Sequence, residues 1–97
     1  MPVGNIKSAI KAVAAAATPE ALVAAATYVV SVTIKANDTN TNDVFVGDST
    51  VDNAGTFPPL SPGTVITIGH SYDFNLADIF VAVAVNGEGV GIWYILP

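Results

Sequence analysis

His70 is the only histidine in the chain, and it stands beside Ser71 and close to Asp73. A nucleophile, a base and an orienting carboxylate must converge on one point, and a fold normally brings them there from separate segments. Three residues within one short loop point apart, so this trio reads as a solvated loop and not as a hydrolytic centre. Asp38-Thr39-Asn40-Thr41-Asn42 matches the opening of a calcium loop. The glycine required next is Asp43, however, and the bidentate glutamate position holds Ser49, so the match fails at both defining places. An Asx-rich turn is the default there, with a looser cation site on Asp38, Asn40 and Asp43 as the alternative. Gly87-Glu88-Gly89-Val90-Gly91 has the glycine density of a phosphate-binding loop, but such loops open a helix, and here a strand pattern follows. No cysteine is present, which removes thiolate nucleophiles, thiolate zinc sites and disulfides together. The sequence therefore contains no catalytic, cofactor-binding or metal-ligating set, and a non-enzyme is expected.

Trp93 and Tyr94 are the other residues of chemical interest. Neighbours on a strand face opposite sides, so one ring belongs to the core. The other either sits at a subunit contact, where aromatic residues are enriched, or covers a sheet edge.

The elements that would position these groups read as β from Tyr28 onward. In Val29-Val30-Ser31-Val32-Thr33-Ile34-Lys35 the apolar Val30, Val32 and Ile34 alternate with Ser31, Thr33 and Lys35, a period of two with one face inward. Val44-Phe45-Val46-Gly47 is a short strand, and Asn53-Ala54-Gly55 a turn. Phe57-Pro58-Pro59-Leu60 lacks the N–H groups for a regular ladder. Ser61-Pro62-Gly63 predicts a tight turn. Thr64-Val65-Ile66-Thr67-Ile68 is a strand whose inward face the adjacent Val65 and Ile66 leave open. Ile79-Phe80-Val81-Ala82-Val83-Ala84-Val85 reads as a buried strand, and Asn86-Gly87 predicts a hairpin into Val90-Gly91-Ile92-Trp93-Tyr94-Ile95-Leu96. The first residues are ambiguous. Ile6, Ile10 and Val13 stand at helical spacing among alanines, which alone predicts a helix over residues 5–17; residues 20–26 suit a second strand. Short strands without strand–helix alternation predict an all-β, antiparallel sandwich or jelly-roll-like barrel.

Composition narrows the function. Only 11% of the 97 residues are charged, against roughly 25% in an average soluble domain. Such a chain cannot cover its outside with charge, and contiguous apolar surface that remains usually meets a partner. Lys7, Lys11 and Lys35 are the only basic side chains and the net charge is −5, which argues against nucleic acid and against anionic membranes. The alanine-rich stretch 12–26 is broken at Thr18-Pro19-Glu20, too weak for a span of about 20 apolar residues. Without leucine before that break it is also a poor signal-peptide core.

One ordered set of landmarks carries a resemblance. Ser31-Val32-Thr33-Ile34-Lys35-Ala36 is followed by Asn40-Thr41-Asn42, then Val44-Phe45-Val46-Gly47-Asp48-Ser49, then Phe57-Pro58-Pro59-Leu60-Ser61-Pro62-Gly63, Ile79-Phe80-Val81 and Gly87-Glu88-Gly89-Val90. Over residues 18–96 this order resembles a group of small bacteriophage virion proteins of β-sandwich type. The chain departs from the pattern in its second proline, Pro59, and in a long loop over residues 69–75. The resemblance implies an extended segment within residues 10–26, in place of helix. It divides the chain into residues 1–17, an Ala-rich N-terminal arm or first strand, and a β-sandwich domain over residues 18–97. It further implies a capsid decoration or stabilising subunit made in the host cytoplasm and located in the virion. Its partners would be the major capsid protein or another virion protein, in a homo-oligomer for which the family analogy favours a trimer. The alternative is a fibre or tail-tip domain binding a host-surface glycan through Trp93 or Tyr94 with Asn53 or Asn75. In the first case the arm docks on a neighbour or adds a strand to it.

Overall fold

Period-two patterns become eight strands in the computed structural model, which describes residues 6–52 and 59–97. The turn expected at Asn53-Ala54-Gly55 and the Phe57-Pro58 step lie outside the described residues. The strands are β1 (Ile6–Ala12), β2 (Glu20–Ala21), β3 (Tyr28–Ala36), β4 (Val44–Gly47), β5 (Pro59–Leu60), β6 (Val65–Asn75), β7 (Phe80–Val83) and β8 (Gly89–Ile95). A single 3-10 turn, Leu76–Asp78, joins β6 to β7, and no α-helix occurs among the described residues. The chain is all-β, with two four-stranded antiparallel sheets in the orders β1-β8-β3-β6 and β2-β7-β4-β5.

The two sheets share one core. Val32, Ile34, Ala36, Val90 and Ile92 of the first sheet form a single buried cluster with Val44, Leu60, Val81 and Val83 of the second. On β3 the expected alternation holds for Val32 and Ile34, but Val29 is buried and Val30 only half-buried. The cause is an irregularity in the β3–β6 ladder. Val29 pairs with Phe74 and Ser31 with Gly69, so the one residue Val30 faces the four residues His70, Ser71, Tyr72 and Asp73. A bulge of this kind breaks the parity of the strand and turns Val29 inward beside Val32. The segment 69–75, expected as a loop, is the distal half of the long strand β6 with that bulge inside it.

The N-terminal segment is a strand over Ile6–Ala12 and not the helix that its spacing suggests. Ile6 and Ile10 are four apart, an even number, so they share a face under either periodicity. Pairing settles the matter: every residue from Ile6 to Ala12 is in register with β8, from Ile6 opposite Ile95 to Ala12 opposite Gly89. Propensity is a weak prior that such tertiary pairing overrides. Val13, just beyond, is fully buried, and its N–H donates to the Glu88 carbonyl at 2.9 Å. Within residues 1–17 the strand thus runs over Ile6–Ala12, and residues 14–17 follow as bend and turn. Residues 6–13 belong to the same body as the rest and are not a detached arm. The second strand expected over residues 20–26 is reduced to Glu20–Ala21.

Two turns differ in outcome. Thr64 N–H donates to the Ser61 carbonyl at 2.9 Å across Pro62 and Gly63, and Gly63 has φ +84°, as a type II turn requires. Glu88 N–H likewise donates to the Val85 carbonyl at 3.2 Å across Asn86 and Gly87, but the strands on either side do not pair. A type I′ hairpin turn needs positive φ at both central residues. Here Gly87 has φ +86° and Asn86 does not share it. The turn splays its strands, passing the chain from the second sheet to the first, and the expected hairpin is a crossover between sheets.

Candidate functional site

The outer face of the second sheet is covered by the chain itself. Phe45 and Ala82 pack there with Val51 of the following loop and with Phe80. The loop is held by Asp48, whose carboxyl accepts from the Thr50 hydroxyl and from the Thr50 N–H and is thereby kept below its ordinary pKa.

The outer face of the first sheet has no such cover among the described residues. Its composition follows from register. Ile10, Gly91, Lys35 and Val65 form one row across the four strands; Ser8, Trp93, Thr33 and Thr67 form the next; Ile6, Ile95, Ser31 and Gly69 the third. Ile10 is 80% exposed, Ile6 57%, Trp93 56% and Val65 50%. Single exposed apolar residues are ordinary, but four large ones on one sheet face form a patch. Between Ser8, Thr33, Lys35, Val65 and Trp93 lies an open groove of about 430 Å³, floored by Gly91. Thr33 and Thr67 hydroxyls are 3.1 Å apart on this face. Lys35, the one charged group in these three rows, reaches Asp38 Oδ2 at 3.2 Å.

Register also settles Val65 against Ile66. Val65 lies opposite Lys35 and faces out, while Ile66, opposite Ile34, packs on the core. Trp93 and Tyr94 face opposite sides as their adjacency demands: Tyr94 packs on the core and Trp93 stands on the bare face.

The start of β8 is fixed by the Asx-rich loop. Asn40 is buried, and its carboxamide donates to the Gly89 carbonyl at 2.8 Å and accepts from the Gly89 N–H at 3.2 Å. Its neighbour Thr41 gives its N–H and its hydroxyl to the Glu88 carboxylate at 2.7 and 2.8 Å, which holds the Glu88 pKa below the usual range, the backbone donor being the larger cause. Across the sheets, Lys11 of β1 meets Glu20 of β2 at 2.8 Å, and Glu20 also accepts from the Ala14 N–H. The Lys11 hydrogen bond is the first cause of the lowered Glu20 pKa. Together these contacts set the position of β8, and with it Gly91 and Trp93.

The remaining sequence candidates do not converge. His70, in the exposed bulge, accepts the Tyr72 N–H at 3.1 Å and lies against the Tyr72 ring, with centroids 5.7 Å apart; its contacts are with Tyr72 and not with Ser71 or Asp73. Asn40 and Asp38 are engaged by Gly89 and Lys35 respectively, and no group of three potential metal-ligating side chains occurs among the described residues. Asn75 is committed to the backbone: its Oδ1 accepts from Thr27 N–H at 2.9 Å and Ala77 N–H at 3.0 Å, capping the 3-10 turn. Asn53 lies outside the described residues. The groove over Gly91 is the feature that sequence reasoning missed. Its signal was present, since Gly91 and Trp93 share strand parity and an interior strand glycine marks either a bulge or a place of close approach.

No protein-family model matches the chain, and neither a curated protein nor a solved structure matches it.

Proposed function

We propose that this chain is a non-enzymatic assembly subunit of a bacteriophage particle, a capsid-surface decoration or stabilising protein whose contact surface is the outer face of the first sheet. The carrying observation is the asymmetry between the two outer faces. Val51 covers one, while the other, among the described residues, leaves Ile6, Ile10, Val65 and Trp93 exposed around a groove. A chain with 11% charged residues keeps this face solvated poorly and gains by burying it.

The finer fold belongs to the same proposal. Neighbouring strands include β1 with β8, β2 with β7, β3 with β6 and β4 with β5. That is the pattern of one long hairpin rolled over on itself, and we read the two sheets as a jelly-roll sandwich. Jelly rolls recur in viral capsid and lectin domains, a likeness of architecture that favours a task without fixing it. The phage assignment rests on the ordered motifs from Ser31 to Val90, and the partners it brings are the major capsid protein or another virion protein.

Quantitative mass spectrometry of purified particles from the phage encoding the chain tests this reading. Copies on the scale of the major capsid protein support a place on the head lattice. Absence from the particle overturns the proposal. A second reading, a fibre or tail-tip domain on a host glycan, is favoured by Trp93 standing beside the hydroxyls of Ser8, Thr33 and Thr67. A few copies per particle, with a change in Trp93 fluorescence on titration with host glycan, would select it.

A further inference from the structure

Gly91 is a glycine without a reason in its own fold. Its φ is not in the left-handed region, and a Cβ built on it meets nothing nearer than Asn37 Oδ1 at 4.0 Å. Gly89, two residues earlier, shows the contrast, because a Cβ there would collide with the backbone of Lys11 and Ala12. A glycine inside a strand weakens it, and where no turn or close backbone demands it, what it keeps is open space. At Gly91 that space is the floor of the 430 Å³ groove.

We propose that the groove receives Trp93 of a second copy of this chain, so that two chains pair face to face about a twofold axis. This rests on the assembly reading of the same face and takes its occupant to be, among virion proteins, another copy of this chain and not the major capsid protein. Trp93 lies two residues beyond Gly91 on β8, so knob and hole sit on one face about 7 Å apart. A surface that holds both its own protrusion and its own recess is self-complementary, the condition for an isologous contact. A ring of three would need knob and hole on different faces.

Charge points to the same occupant. At net charge −5, two copies repel each other over most of their surface. None of the eight carboxylates lies in the paired rows of this face, and its one cation, Lys35, already has Asp38. Two copies therefore meet here without burying like charges. The free edge of β1 is a weaker candidate, because Lys7 and Lys11 on an edge strand are a common guard against strand addition.

Area sets the strength. Four strands at about 4.8 Å and seven residues at about 3.4 Å give a footprint of roughly 19 by 24 Å. Two such footprints bury on the order of 900 Å², below the roughly 1,200 Å² of stable interfaces, so the pair is weak.

Sedimentation equilibrium of the full chain from ~5 to ~500 μM, with tryptophan emission read on the same samples, tests the proposal. The weight-average mass should rise from 9.9 kDa toward twice that value. Emission should shift to the blue in step, since Trp93 is the only tryptophan. Gly91→Val fills the groove with a residue that strands prefer. It should unfold no earlier than the parent while its self-association weakens at least tenfold. Trp93→Ser should also stay monomeric, and it serves where Gly91→Val fails to fold. A parent that remains monomeric at the highest concentration, a limiting mass of three chains, or undiminished association of both variants overturns the twofold pairing. Incorporation into particles separates this from the assembly reading. A monomeric parent whose variants still lose incorporation refutes only the pairing, whereas a dimer present with no incorporation at all refutes only the particle assignment.

Discussion

Replacing Asn40 with alanine should be among the most damaging single changes to this protein, although the residue lies in a polar loop. Its carboxamide both donates to and accepts from the backbone of Gly89, which is itself buried. In Asn40→Ala the Gly89 carbonyl keeps one donor, the Asn37 N–H at 3.1 Å, but the Gly89 N–H loses its hydrogen-bond partner. Leaving a buried donor unsatisfied costs about 1–3 kcal/mol, and the weakened carbonyl adds roughly 0.5–1 kcal/mol. The expected loss is about 2–4 kcal/mol, a fall in Tm of roughly 10–25 °C for a domain of this size. Far-UV circular dichroism is the appropriate probe, because Trp93 is already more than half exposed and reports little on unfolding. Asn42→Ala is the matched control. Asn42 is exposed and its amide reaches only the neighbouring Thr41 hydroxyl at 3.3 Å, so its loss should fall within about 0.5 kcal/mol. Asn40→Asp keeps the acceptor but turns a carboxylate oxygen toward the Gly89 carbonyl, and should be no better than alanine at neutral pH. A loss below about 1 kcal/mol for Asn40→Ala would refute the reasoning that this amide pins the start of β8.

Three further outcomes follow from the same geometry. Gly89→Ala places a Cβ against the Lys11 carbonyl oxygen and 3.0 Å from Ala12 Cα, so the β1–β8 ladder must part at that end. A cost of about 2–3 kcal/mol and faster hydrogen exchange in β1 are expected, against no loss for Gly91→Ala. Deleting residues 1–13 removes a fully buried core valine and one of the two ladder partners of β8, so the remainder should not fold stably; Val13→Ala alone should cost about 2–3 kcal/mol in denaturant unfolding. Acid should weaken the fold, and the sign comes from Glu20, Asp48 and Glu88, all with pKa values lowered in the folded state. Their contribution is complete above the unfolded carboxylate pKa of about 4 and is lost as pH falls below it through the folded values. Between pH 5 and pH 2 the Tm of the parent should fall more steeply than that of the Glu20→Gln, Glu88→Gln double variant, and equal slopes would exclude Glu20 and Glu88 as the cause.

Much of the architecture was legible in residue order. Val32, Thr33, Ile34 and Lys35 alternate because a strand buried on one face must, and Pro62-Gly63 makes the turn that its backbone preferences dictate. The adjacency of Trp93 and Tyr94 already required one ring inside and one outside. His70 meets Tyr72 and not Ser71 or Asp73, as residues that follow one another along a single segment point apart. The sequence by itself thus determined the strand class and the turn at Pro62-Gly63, since each depends on neighbours along the chain.

Tertiary structure decided the rest, because it depends on neighbours across the chain. Ile6 and Ile10 suit a helix and a strand equally, and only the register with β8 chose. Asn86-Gly87 encodes a turn, but whether its strands pair or part to different sheets depends on φ at Asn86 and on the partners that β7 and β8 find elsewhere. Nothing local distinguishes Gly89, packed against the backbone of β1, from Gly91, open to solvent one row away. Nor does the order of residues reveal that Val51 covers one outer face while the other has no such cover among the described residues. An interaction face is made of side chains from four strands brought side by side by pairing, and that assembly exists only in the folded chain.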